Sequence, residues 1–179
     1  MKGALANAVL IGAAILGVGA VLLVGIGEGR RAAASAGVGK PAPDFEMPRY
    51  GGRGQVSLSE LEGRVVMLNF WASWCGPCVE ELPYMVKLTR EYEDRGLTFV
   101  AASRDDAPAD VGIFLDRRVP EAAPYVTFAS DKLAGQYGVQ ALPMTYFINR
   151  EGTVVELQRG KMSEKDLRRS IERALGLTQ

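Results

Sequence analysis

The feature that most constrains this chain is a pair of cysteines, Cys75 and Cys78, separated by Gly76 and Pro77. The apolar run at residues 65–70 precedes the pair and predicts a buried strand. Pro77 favours a helix that begins at the pair, because the N–H that proline lacks would be unpaired in a first turn. Thiols at such a junction lie at the positive end of the helix dipole, which favours a thiolate at the first sulfur. This context predicts dithiol–disulfide chemistry.

The composition removes most other roles for the two thiols. They are the only cysteines among 179 residues, and the chain has no histidine, whereas a structural zinc site normally takes four Cys or His ligands. We therefore predict no metal site. The absence of histidine also excludes a Cys–His hydrolase pair and a c-type haem attachment motif. A purely structural disulfide stays open as an alternative, although closing so short a loop constrains the unfolded chain little.

The charge balance argues against nucleic acid as a partner. The chain carries 21 basic and 21 acidic residues, for a formal net charge of zero, and no basic block is evident. Binding to a phosphate backbone therefore has no electrostatic support.

Residues 4–27 carry no charge and predict a single transmembrane helix after a short tail at 1–3. As a helix this segment would measure about 36 Å, enough to cross a hydrocarbon core of about 30 Å. A signal peptide cleaved near residues 34–36 is the alternative. Lys2 precedes the segment and Arg30 follows it, so the positive-inside rule does not decide the orientation.

The remaining chain predicts a flexible linker at 28–40, rich in Gly, Ala and Arg, and one folded domain at 41–179. In that domain, strand-like and helix-like patterns alternate first, and a hairpin and a helix close the chain. This order predicts an α/β fold, a mixed sheet with helices on both faces. The predicted strands are 43–47, 55–58, 65–70, 97–103, 125–128, 144–149 and 153–158, and the predicted helices are 77–94, 108–117, 131–137 and 163–175, with a kink at Pro83.

The motif Phe-Trp-Ala-Ser-Trp-Cys-Gly-Pro-Cys at 70–78, together with Ala-Leu-Pro-Met-Thr at 141–145, resembles the thioredoxin superfamily. Four further features point to one subgroup of that superfamily: the N-terminal hairpin, Asn69, the continuation at 79–83 and the membrane segment. The chain resembles membrane-anchored thiol–disulfide oxidoreductases of the TlpA/ResA type over residues 41–175. The resemblance implies a thioredoxin-like mixed sheet flanked by helices, with an N-terminal β-hairpin extension.

The resemblance also implies roles for the two cysteines. Cys75 would be the exposed nucleophile, and Cys78 the more buried thiol that resolves the mixed disulfide. The physical argument agrees, since the first sulfur of the pair experiences the strongest field of the helix N-terminus. No cofactor is expected beyond this redox-active disulfide.

A substrate-binding surface is expected around the pair. Pro143 matches the proline that is cis in this family, and a cis bond there would present the backbone of Leu142 to an extended substrate. Base rates alone would favour an ordinary trans proline. Trp74, Gly76 and Pro77 flank the thiols and complete the predicted surface.

Glu81 is the predicted proton acceptor for Cys78. Ordinary thioredoxins carry a buried aspartate six residues before the first cysteine, but this chain has Asn69 there, which cannot titrate. Glu81 follows Cys78 by three residues and would share its helix face, with Glu80 turned elsewhere. We expect partial burial to raise the pKa of Glu81. The alternative is a solvated glutamate on the helix surface.

These features predict a reductant of protein disulfides, and the resemblance implies that it is held in the cell inner membrane with its domain facing the periplasm or the cell exterior. Gly76 and Pro77 between the cysteines resemble reducing thioredoxins rather than oxidants. The resemblance implies apocytochrome c, or another exported protein, as the substrate, and a membrane dithiol as the electron donor.

Three other functions were weighed against this one. A peroxiredoxin-type thiol peroxidase would need a threonine three residues before its cysteine, where this chain has Ala72. A copper-delivery protein on the same fold would need a wider cysteine spacing and a histidine. A non-catalytic, membrane-tethered interaction module is the third alternative, and it predicts no loss of function when both thiols are removed.

Overall fold

The computed structural model describes residues 35–105 and 107–177. The predicted tail, the predicted anchor at 4–27 and the first part of the linker lie outside these residues. Within the described part of the chain, no helix combines the length and the apolar character that crossing a membrane requires.

The domain is built on a five-stranded mixed sheet with the strand order β5-β4-β3-β6-β7. β3, β4 and β5 are parallel, while β6 and β7 run antiparallel to their neighbours. This confirms the mixed sheet expected from the order of the elements. The strands are β3 (Val65–Trp71), β4 (Leu97–Ser103), β5 (Val126–Phe128), β6 (Met144–Ile148) and β7 (Val154–Arg159).

The N-terminal hairpin forms a separate two-stranded sheet. β1 (Glu46–Pro48) pairs antiparallel with β2 (Gln55–Ser57). A bridge between Arg49 and Thr127 joins the hairpin to β5, the edge strand of the main sheet. The hairpin thereby covers an edge that would otherwise present unpaired backbone groups.

Helices lie on both faces of the sheet, as predicted. Pro77 occupies the first turn of α1, and the helix continues through Pro83, which is exposed. The Ser163 side chain accepts a hydrogen bond from the Asp166 N–H and caps α4, as the sequence indicates. The helices are α1 (Gly76–Tyr92), α2 (Pro108–Arg118), α3 (Asp131–Gln136) and α4 (Glu164–Ala174).

β3 is the centre of the core, and all seven of its residues are buried. Because side chains alternate along a strand, Val65, Met67 and Trp71 pack into the cluster that contains α1 and α4. Leu68 and Phe70 pack into the opposite cluster, with α3 and the hairpin. Asn69 has the same parity as the first set, so β3 directs a polar side chain toward α1.

Candidate active site

The two cysteines form a disulfide at the junction of β3 and α1, with their Cα atoms 5.3 Å apart. Cys75 is the N-cap of α1, and its carbonyl accepts the Val79 N–H at 3.0 Å. Cys75 was expected to be exposed, but both cysteines are buried: Cys75 is 7% exposed and Cys78 is 1% exposed, because both pack in the core cluster that contains α1. The first sulfur is thus the more accessible of the two, and it lies where unpaired N–H groups and the helix dipole favour a negative charge.

Three of the predicted surface residues flank this buried pair. Trp74 is 71% exposed, and Gly76 and Pro77 are exposed beside it. These three residues form an exposed border beside the disulfide.

A hydrogen-bonded carboxylate holds the loop in front of Cys75. The Asp105 carboxylate accepts the Ser73 N–H at 3.0 Å and the Ser103 hydroxyl at 2.8 Å. Asp105 was not among the residues predicted from the sequence. A usable signal was its place just after β4, since functional loops of parallel strands gather at their carboxyl ends.

The Leu142–Pro143 peptide bond is cis, which confirms that prediction. β6 starts at Met144, which pairs with Phe70 near the end of β3. This register places Pro143 at the edge of the sheet from which the Cys75 loop departs. Leu142 is half-buried and packs against both core clusters.

Glu81 lies in the interior, 1% exposed, which excludes the solvated alternative. Its Oε1 accepts the Asn69 side-chain N–H at 3.2 Å, and its Oε2 accepts the Met162 backbone N–H at 3.0 Å. Burial raises the pKa of Glu81 to about 7, because removal from water outweighs these two hydrogen bonds and the attraction of Lys161. Glu80 points away, as predicted, and forms an exposed ion pair with Lys161.

Asn69 connects Glu81 to the neighbouring strand. Its Nδ2 also donates to the Thr145 hydroxyl at 3.0 Å, and the two residues are direct partners in the register of β3 with β6. Because neither Asn69 nor Thr145 titrates near neutral pH, Glu81 is the ionisable member of this buried network. Thr145 and Met162 were not predicted as members of this network, because they reach it only through the packing of distant segments.

Across residues 35–105 and 107–177, no three His, Cys, Asp or Glu side chains cluster in a way that could hold a metal ion. The arrangement is suited to chemistry at sulfur, with a buried carboxyl group on α1 three residues after the second cysteine.

Comparison with known proteins agrees with this geometry. Residues 37–175 match the model of the Redoxin family. The chain is 37% identical over 129 residues to the thiol-disulfide oxidoreductase ResA of Oceanobacillus iheyensis, covering 70% of this chain and 67% of that protein. It is 34% identical over 130 residues to ResA of Bacillus thuringiensis strain Al Hakam, covering 73% of this chain and 74% of the relative.

A solved structure is similar as well. A crystal structure from Chlorobium tepidum, assigned to a thiol:disulfide interchange protein DsbE, superposes with a TM-score of 0.72 at 36% sequence identity. The match covers 79% of this chain and 100% of that one. Fold and sequence therefore point to the same group of proteins.

Proposed function

The chain belongs to the Redoxin family and is a ResA/TlpA-like protein-disulfide oxidoreductase of the thioredoxin superfamily, and from this premise we propose that it reduces disulfides of proteins outside the cytoplasm. The Cys75–Cys78 pair is its redox couple, with no other cofactor. Gly76 and Pro77 support reduction as the direction, because histidine, which would favour the thiolate and an oxidising potential, is absent from the chain.

A single observation carries the proposal: the carboxyl group of Glu81 is buried one helical turn after Cys78, and this burial raises its pKa to about 7. A free thiol has a pKa of about 8.5 and needs a base to react at neutral pH. A base is most effective when its pKa lies near the working pH. The residues Cys78 and Glu81, three apart on α1, share one face of the helix, so Glu81 is the group placed to act on that thiol.

In the first step, the Cys75 thiolate attacks one sulfur of the substrate disulfide. A bond forms between Cys75 and that sulfur, and the substrate S–S bond breaks. The departing substrate sulfur leaves as a thiolate and takes a proton from water. The N-terminus of α1 favours this step, since it stabilises the attacking thiolate.

In the second step, Cys78 gives its proton to Glu81 and attacks the sulfur of Cys75. The Cys75–substrate bond breaks, the Cys75–Cys78 disulfide forms, and Glu81 returns the proton to the departing substrate sulfur. Two electrons have then passed from the cysteine pair to the substrate. We propose that a membrane dithiol protein restores the reduced pair by the same exchange in reverse.

The substrate lies across the exposed residues Trp74, Gly76 and Pro77 and along the half-buried Leu142, beside the cis Pro143, which is itself buried. The exposed Trp74 ring offers a large apolar contact at low entropic cost. The backbone of Leu142 offers hydrogen bonds to an extended peptide, as in strand addition. Recognition through backbone and one aromatic ring suits protein substrates with local extended structure around the cysteines.

We place the protein in the inner membrane, anchored by residues 4–27, with the domain in the periplasm or at the cell exterior. The charge-free length of that segment supports an anchor. Apocytochrome c is the proposed specific substrate, because its two cysteines must be reduced before haem attachment. Another exported protein with an unwanted disulfide would meet the same chemical requirement.

Trapping in cells tests substrate and compartment together. In the full-length Cys78→Ser variant, Cys75 still attacks but nothing resolves the product. We expect a covalent complex, stable without reductant, whose partner mass spectrometry identifies as an exported protein with a cysteine pair. The Cys75→Ser variant is the matched control and should trap nothing.

Two results would contradict the proposal. Full dithiol activity in the Cys75→Ser variant would show that Cys75 is not the nucleophile. If all trapped partners were cytoplasmic proteins, the domain would not lie outside the cytoplasm, although the oxidoreductase chemistry would still hold.

A further inference from the structure

The three-residue turn at 160–162, between β7 and α4, contacts two parts of the site at once. At one end, the Gly160 N–H donates to the carbonyl of Pro143 at 2.9 Å. At the other end, the Met162 N–H donates to Oε2 of Glu81 at 3.0 Å. A single residue, Lys161, separates these two donors. The turn thus joins the cis-proline loop to the buried carboxyl group.

The charged group that acts on Glu81 also comes from this turn. Lys161 lowers the pKa of Glu81, in opposition to the larger effect of burial. β3 contributes the neutral amide of Asn69, and β6 contributes the Thr145 hydroxyl behind it. On α1, Cys78 does not titrate while it is disulfide-bonded. Glu80, which precedes Glu81, is exposed and pairs with Lys161.

The geometry makes the turn sensitive to the charge of Glu81. As a carboxylate, Glu81 offers one oxygen to Asn69 and the other to Met162. A proton on Oε2 weakens the bond from the Met162 N–H, because a neutral oxygen is a poorer acceptor than a charged one. The hydrogen bond from the Gly160 N–H to the Pro143 carbonyl transmits such a change toward the cis-proline loop, and Gly160 holds φ +82°, a conformation that favours glycine.

We propose that the turn at 160–162 couples the protonation of Glu81 to peptide binding at the cis-proline loop, with Gly160 and Lys161 as positioning residues. The inference rests on the proposed role of Glu81 as proton acceptor for Cys78. A peptide on the Leu142–Pro143 loop holds the turn and so favours the charged carboxylate, which is the form that accepts a proton. By linkage, the charged carboxylate favours the peptide to the same extent.

The first test is an NMR titration of the full-length, 15N-labelled oxidised protein. The chain has no histidine and its thiols are bonded, so Glu81 is the side chain expected to titrate near pH 7. We expect the Met162 and Gly160 amide signals to shift together with a midpoint near pH 7. The Glu81→Gln variant should abolish both shifts.

The second test compares two glycines at opposite ends of β7. Gly160 and Gly152 have φ values of +82° and +75°, and neither has an atom near the position of an added Cβ. Both alanine variants therefore carry similar backbone strain. We expect Gly160→Ala to raise the Glu81 midpoint by about one pH unit and to raise KM for a synthetic disulfide peptide several-fold. Gly152→Ala should do neither.

A milder variant covers the case in which Gly160→Ala does not fold. Lys161→Gln changes an exposed side chain and should raise the Glu81 midpoint by a smaller amount, because a favourable charge is removed. Lys87→Gln, which also removes an exposed ion pair of α1, is its control. The midpoint should not move in the control.

The coupling is overturned if neither Gly160→Ala nor Lys161→Gln moves the midpoint beyond its control. It is also overturned if Gly160→Ala raises KM with the midpoint unchanged, since the turn would then hold only the loop. Failure of the proposed acceptor role has a different signature: the Met162 amide would titrate and respond to Gly160→Ala, while Glu81→Gln kept the wild-type pH–rate profile. That result would support the coupling and show that Glu81 is not the proton acceptor for Cys78.

Discussion

Helix α1 carries glutamates at its two ends, and their surroundings are opposite. Near its N-terminus, Glu81 is buried, and burial raises its pKa to about 7. Near its C-terminus, Glu91 is exposed, and the hydrogen bond from Arg168 of α4 lowers its pKa. The first carboxyl group changes charge around neutral pH, whereas the second stays charged.

The contrast teaches that the environment, and not the residue type, decides what a carboxyl group can do. The C-terminal half of α1 also meets α4 through polar contacts: Arg168 donates to the hydroxyl of the buried Tyr92, and Lys87 forms an exposed ion pair with Glu164. Such pairs contribute little to stability, because solvent screens them. At the N-terminal half, removal from water makes the same chemical group a base suited to neutral pH.

Exchanging the two glutamates for glutamine in turn gives the largest expected difference. Glu81→Gln should slow the resolving step about 100-fold or more at pH 7, as expected for loss of a general base, and should flatten its dependence on pH. Glu91→Gln makes the same chemical change on the same helix and should leave the rate nearly unaltered. Stopped-flow measurement with a disulfide peptide distinguishes them, and equal rates in the two variants would remove the functional contrast.

The pH dependence of stability sharpens the comparison without any substrate. The folded pKa of Glu81, about 7, lies above its ordinary value of 4.5, so the folded oxidised protein holds a proton that the unfolded chain releases. The free energy of unfolding should therefore be highest below pH 4.5 for this group and fall by about 3 kcal/mol as the pH rises to 7. The pKa of Glu91 is lowered on folding, so its contribution to stability is lost as the pH falls and not as it rises. The contribution is small because Glu91 is exposed.

Urea unfolding between pH 5 and pH 8 measures that slope. The chain has no histidine to contribute in this range. Glu81→Gln should remove the slope, and Glu91→Gln should keep it. A wild-type stability that stays constant or rises from pH 5 to pH 8 would show that burial does not raise the pKa of Glu81.

Asn69→Ala should have the next largest effect. It leaves one oxygen of Glu81 and the Thr145 hydroxyl without their buried partner, which costs about 1–3 kcal/mol. The loss should be greater at pH 8, where Glu81 is charged, than at pH 5. Repeating the substitution in a Glu81→Gln background provides the control, and an equal loss at both pH values would argue against a bond to the carboxylate.

Arg168→Gln is expected to have the smallest effect. It removes the contacts of Arg168 with Glu91 and Tyr92 at the exposed end of α1, for a loss of about 1 kcal/mol or less. The pH–rate profile should match that of the wild type. A large loss of stability, measured by urea unfolding, would mean that the polar α1–α4 contact matters as much as the buried network.

Much of this fold follows from patterns within short segments. The predicted helix at 77–94 is α1 (Gly76–Tyr92), and the predicted strand at 97–103 is β4 (Leu97–Ser103), because caps, glycine stops and apolar periodicity are local signals. The first hairpin strand was expected at 43–47 but lies at Glu46–Pro48. Alternation of apolar residues indicates a strand but does not say where its pairing begins.

By itself, the sequence determined the linear core of the site: the strand, the cysteine pair, the helix N-terminus, and a glutamate on the face of Cys78. These features arise within one continuous segment, where helix and strand periodicity decide which side chains share a face. Only the tertiary structure decided that Asn69 lies opposite Thr145 and that Met162 reaches Glu81, 81 positions along the chain. Strand register and burial depend on the packing of distant segments, and it is burial that sets the pKa of Glu81.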